Sequence, residues 1–112
     1  MKLPNVDKAI VEREKIRNYL LDPAHPDNGD KAQFFEQLSF ARGEWNLLAD
    51  AFLALAHKAE VTHGMRSPHG QKYVIVGRIE SPNGKMASIQ TIWIMDKSLD
   101  VARLVTAYPH KE

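Results

Sequence analysis

The sequence predicts an α+β fold: about three N-terminal helices packed on a four-stranded antiparallel meander sheet. Three observations lead there. Apolar residues recur at helical spacing through the first half and then alternate, with the change near residue 60. The stretch Ser81-Pro82-Asn83-Gly84-Lys85 divides two long alternating runs, as a hairpin loop does. The 112 residues contain no internal repeat, and 44% of them are hydrophobic, enough for one modest core. A single domain over 1–112 is therefore expected, with a helical part over 1–59 and a sheet part over 60–109.

The first helix is read from VEREKIRNYLL, where Ile16, Tyr19 and Leu20 have i, i+3, i+4 spacing and Pro23 and Pro26 close the segment. A polar turn, AHPDNGD, follows. The second helix begins at KAQFFEQLSF, with Asp30 as its N-cap and Phe34, Phe35 and Leu38 facing inward. The third, EWNLLADAFLALAHKA, carries the stripe Trp45, Leu48, Phe52 and Leu55. Small Ala49 and Ala56 let a neighbour approach it closely.

EVTHGMRS reads as a weak first strand, followed by QKYVIVGRIES, MASIQTIWIMD and ARLVTAYP. Pro82 and Asn83 suit the centre of a type I turn, and Gly84 the left-handed residue of the bulge after it. Pairing Ser81 with Lys85 puts Ile79 opposite Ala87, Gly77 opposite Ile89, Ile75 opposite Thr91 and Tyr73 opposite Trp93. These eight then share one face. The other face holds Val74, Val76, Ile92 and Ile94, with Arg78, Glu80, Ser88 and Gln90 toward the turn. The aliphatic four are expected to receive the helices, leaving Tyr73, Thr91 and Trp93 on the open face. The reverse assignment fits the pattern too, because both faces are fairly apolar. In the last strand, alternation puts Leu104, Thr106 and Tyr108 together, with Arg103, Val105 and Ala107 opposite.

No run approaches the 18 or more apolar residues of a membrane span, and the N-terminus lacks the apolar core of a secretory signal. Without cysteine there is neither a disulfide nor a thiolate metal site. A soluble cytoplasmic protein without membrane contact is expected. The net charge of +1 argues against a strongly electrostatic role. Its distribution is uneven, since residues 1–60 sum to −2 and residues 61–112 to +3. An anion is expected to bind the second half.

No glycine-rich phosphate loop, HExxH or GxSxG pattern occurs, and no metal or cofactor is expected. What remains is a set of basic and hydroxyl residues on the strands: Lys72, Arg78, Thr91, Arg103, Thr106 and Tyr108, with His63 and His69 nearby. Metal-independent RNA cleavage needs a base for the ribose 2′-hydroxyl, an acid for the leaving oxygen, and donors for the charge on phosphate. Histidine, lysine, tyrosine, arginine and threonine supply those functions. Exposed Tyr73 and Trp93 could stack a splayed base. The plainer reading treats the threonines as good strand residues, the cations as solvated edge charges and the tryptophans as core.

Several stretches resemble an uncharacterised bacterial family of the domain-of-unknown-function kind, found as small proteins and at the C-terminal ends of polymorphic toxins. They are LPN, YLLDPAHP, KAQFFEQLSF, EWNLL, GQKYVIVGRIESPNGK, IQTIWIMD and RLVTAYP. The order of elements is also similar to the architecture shared by barnase, EndoU, colicin E5 and D, and RelE ribonucleases, many of which end in a strand resembling VTAYP. That likeness implies a site at Lys72, Arg78, Thr91, Thr106 and Tyr108, with His63 or His69 as acid or base. Tyr73, Arg103 and His69 would contact RNA. Two positions depart from the family pattern. Asp30 stands before Lys31 where a histidine is more frequent, and Ala41 stands where a Ser or Thr helix cap is expected.

The reading is a metal-independent ribonuclease-like toxin domain or an inactive relative, with RNA and a cognate inhibitor protein as partners. The alternative is a noncatalytic binding module, an antitoxin, immunity or assembly partner, that uses the sheet face or an edge strand.

Overall fold

A computed structural model describes residues 1–26 and 30–110; the polar turn read over 24–30 includes residues 27–29, which lie outside the described residues. The architecture is the α+β one expected, with the helices N-terminal and the sheet C-terminal. A turn of α-helix, Arg13–Lys15 (α1), runs directly into a π-helical turn, Ile16–Leu20. Helices Lys31–Gln37 (α2) and Trp45–Lys58 (α3) follow. The sheet is a meander of His63–Ser67 (β1), Gly70–Glu80 (β2), Met86–Asp96 (β3) and Ala102–Pro109 (β4), all neighbours antiparallel. Among the described residues no helix is long and apolar enough to cross a membrane.

The hairpin forms in the register expected. Ser81 N–H donates to Lys85 O at 2.9 Å, Gly84 has φ of 85°, and Tyr73, Ile75, Gly77 and Ile79 lie opposite Trp93, Thr91, Ile89 and Ala87. The faces are the reverse of those expected. Ile75, Ile79, Ile89, Thr91 and Trp93 are buried beneath the helices, and Val74, Val76 and Ile92 lie on the far side. Two features of the sequence explain the outcome. The far side also carries Lys72, Arg78, Glu80 and Arg103, whose charges cannot be covered unpaired. The buried side is set with Gly77, Ala87, Ala102 and Ala107, which admit the helices closely. At Gly77 an added Cβ would lie 2.5 Å from Leu55 Cδ1 on α3.

Thr91 and Trp93 are thus fully buried and have no surface to offer an RNA, and Tyr73 is half-buried against the same core. Thr91 serves the core instead. Its hydroxyl donates to Ile75 O at 3.0 Å and accepts from Trp93 Nε1 at 2.9 Å, so the one buried indole N–H is satisfied internally. Phe35, on α2, packs edge-on to Phe52 of α3 with centroids 5.9 Å apart. Asp30 makes no side-chain cap on α2; its carbonyl accepts from Phe34 N–H at 3.0 Å. Ala41 leads into a 3₁₀ turn, Arg42–Glu44, that opens α3 without a side-chain cap.

β4 departs from strict alternation. Trp93 lies opposite Leu104 but Ile92 lies opposite Thr106, so Val105 is an extra residue, a β-bulge. Leu104 consequently faces the helices, whereas Thr106 and Tyr108 join Arg103 on the far side. Along β4's outer edge, Ile10 N–H donates to Ala102 O at 2.9 Å and Leu104 N–H to Ile10 O at 3.0 Å. That bridge covers part of the edge and anchors the chain where α1 begins.

Two stability measurements check this packing. Thr91→Val keeps the shape but strands the Trp93 N–H, and is expected to lower unfolding free energy by about 1–3 kcal/mol in urea titration. Gly77→Val presses a side chain into Leu55 and is expected to cost about 1–3 kcal/mol by the same measurement.

Candidate active site

The π-helical turn Ile16–Leu20, the loop after it, α2 and β4 meet at the outer edge of the sheet. Ile16 and Leu20 are buried on the core side of the turn, and Tyr19, between them, is half-buried. Its hydroxyl accepts from Lys31 Nζ at 2.6 Å and hydrogen-bonds Thr106 Oγ1 at 3.1 Å. Lys31 Nζ also lies 5.0 Å from the Tyr19 ring centroid and 6.0 Å from that of Tyr108. Lys15 Nζ stands 5.6 Å over Tyr19, and His25 meets the ring edge-on at 5.0 Å. Tyr108 OH is held by Gln90 Nε2.

An open cleft of roughly 590 Å³ lies beside this cluster, lined by Glu12, Glu14, Lys15, Asn18, Tyr19, His25, Val105 and Thr106. Burial raises the Tyr19 pKa, but the hydrogen bonds from Lys31 and Thr106 and the charges of Lys31 and Lys15 outweigh it. The phenol is left more acidic than the ordinary value of 10.0. An acidified phenol, an imidazole, a hydroxyl and an ammonium group on one cleft, with the Lys31 ammonium on the phenol oxygen, can transfer protons and stabilise a developing negative charge.

Of the residues expected from the sequence, Thr106 lines the cleft, and Tyr108 stands beside it through Lys31 and Gln90. Lys72, Arg78, Arg103 and His63 lie on the same far face but spread across it. Strands are about 4.8 Å apart, so Lys72 and Arg103, flanking Ile94, are rooted roughly 10 Å from each other, and His63 roughly 14 Å from Thr106. Arg78, opposite Ser88, is about 13 Å further along the sheet than Thr106. Arg103 Nε is paired with Asp96 Oδ2 at 3.2 Å. His69 sits in the β1–β2 turn, its backbone N–H on Ser67 Oγ at 3.2 Å. These groups form a band on the face and do not gather at one reacting atom.

Tyr19, Lys15, His25, Lys31 and Gln90 were not among the residues expected. Tyr19 reads as one more member of an apolar stripe, and His25 as part of a turn. Lys31 does carry a signal. A cation in the first turn of a helix opposes the macrodipole and needs some other reason to be there.

The fold and this edge cleft define the class: an α+β domain with a polar cluster of Tyr19, Lys31, Thr106 and His25 between its helical layer and its last strand. Residues 2–111 match the family described as Domain of unknown function (DUF6883), and the chain belongs to that family. Among curated proteins no relative matches. Among solved structures it is similar to a chain of a contact-dependent growth inhibition toxin–immunity protein complex from Klebsiella pneumoniae 342. The TM-score is 0.73 at 15% identity, over 96% of this chain and 97% of that one. At that identity the likeness establishes the shared fold.

In ultraviolet titration of the folded protein, a phenolate should form below pH 10.0, vanish in Tyr19→Phe, and move to higher pH in Lys31→Met. A Tyr19→Phe titration identical to wild type on its acidic side would remove the basis for an activated phenol.

Proposed function

We propose that this chain is a toxin-system domain that cleaves RNA without a metal, using the cleft at the β4 edge as its reactive centre. The single observation that carries the reading is the convergence of Tyr19, Lys31 and Thr106 beside His25 on that cleft. These groups match the needs of RNA transesterification: a base, an acid and cations for phosphate. Lys72, Arg103 and His63 on the far face give an extended strand places to run, with phosphates as partners for the cations. The similarity to a chain of a toxin–immunity complex supports a role in such a system, with an inhibitor protein as partner. RNA as the substrate rests on the chemistry of the residues.

The test is expression of the chain in a bacterial host, paired with incubation of purified protein and total RNA in EDTA. Wild type is expected to arrest growth and fragment RNA, while Thr106→Ala and Lys31→Ala, still folded by circular dichroism, do neither. A wild-type chain that is harmless, leaves RNA intact and binds a toxin instead would establish the noncatalytic binding module, with the sheet face or edge strand as its contact surface.

A further inference from the structure

Resting on the ribonuclease reading above, we propose that Tyr19 is the general base of the cleft and that His25 is its acid. The base takes the proton from a ribose 2′-hydroxyl, and the acid gives one to the leaving 5′-oxygen. Tyr19 is the residue on which the site's other groups converge. Lys31 Nζ donates to its oxygen at 2.6 Å, Thr106 Oγ1 lies 3.1 Å from the same oxygen, and Lys15 Nζ stands over the ring. An ammonium on the phenol oxygen favours the phenolate, the form that accepts a proton. His25 meets the Tyr19 ring at 5.0 Å and lines the same cleft, so both groups reach one bound ligand.

The step balances within the RNA. The 2′-oxygen loses its proton to the Tyr19 phenolate and bonds to phosphorus, and the bond from phosphorus to the 5′-oxygen breaks. The leaving oxygen takes a proton from the His25 imidazolium. The products are a 2′,3′-cyclic phosphate and a free 5′-hydroxyl. Neutral His25 and protonated Tyr19 then exchange protons with water to regenerate the starting forms. Lys31 and Lys15 offset charge on the phosphate, and Thr106 fixes the direction of the phenol. The ionisable groups that face Tyr19 are Lys15 of α1, His25 in the following loop and Lys31 of α2, with Tyr108 of β4 beyond Lys31. Glu12 and Glu14 lie at the cleft wall.

The experiment is single-turnover RNA cleavage by the full chain in EDTA over a range of pH, with end-group analysis of the products. Wild type should show a rate that rises and then falls with pH, because Tyr19 must be ionised while His25 is protonated, and should leave cyclic phosphate ends. Tyr19→Phe keeps the ring in its packing and should lose about 10²- to 10⁴-fold in rate, together with one limb of that profile. Lys31→Met should move one limb of that profile to higher pH, in step with its ultraviolet phenolate titration. An active wild type whose Tyr19→Phe variant keeps the same rate and pH profile overturns the assignment of Tyr19 alone. So does a Lys31→Met variant whose phenolate moves while both limbs of its kinetic profile stay in place. A wild type that cleaves no RNA at any pH overturns the ribonuclease reading, and the base assignment with it.

Discussion

The pairing of β2 with β3 fixes almost everything else in this fold. Because side chains alternate, a slip of one residue in that pairing would turn one strand over against the other, sending Trp93 out if β3 moved or Arg78 in if β2 did. The loop Ser81–Lys85 prevents the slip. Ser81 N–H bonds to Lys85 O, Asn83 Oδ1 accepts from Lys85 N–H at 3.0 Å, and Gly84 takes the left-handed conformation that closes the turn. The bond from the Thr91 hydroxyl to Ile75 O then links the two strands from within, and Thr91 in turn satisfies the Trp93 N–H beside it.

The helices respond to what that face presents. α3 comes close where β2 offers Gly77, and Leu55 occupies the space a side chain would have taken. Small residues at Ala87, Ala102 and Ala107 make room along the rest of the sheet, while Phe35, Phe40 and Phe52 fill the helical layer. The charged face is left uncovered because its Lys, Arg and Glu side chains keep their hydration there. An apolar patch at Val74, Val76 and Ile92 remains among them.

Two irregularities in regular elements assemble the cleft. The π-helical turn widens the first helix by one residue, marked by the Leu21 N–H to Ile16 O bond at 2.8 Å, with Tyr19 directed to β4. The bulge at Val105 reverses the facing of the strand's last residues, bringing Thr106 to Tyr19 and Tyr108 to Gln90. Such departures interrupt backbone hydrogen bonding, so they persist where surrounding packing holds them. Here buried Ile16, Leu20, Leu104 and Ala107 supply that packing on either side.

The sequence by itself determined the α+β order, three helices, four strands and the hairpin register, because these follow from local periodicity and from the Pro-Asn-Gly turn. It also named Thr106 and Tyr108, though by alternation it set them with Leu104. Only the tertiary structure decided which face is buried, since that choice compares whole faces, charges at Lys72 and Arg78 included, and not one aliphatic patch. Only it brought Tyr19, His25 and Lys31 to Thr106, groups more than 70 positions away in the chain. The π-turn and the bulge that join them break the two periods from which a sequence is read, so beyond the misplaced cation at Lys31 no local pattern announces the cluster.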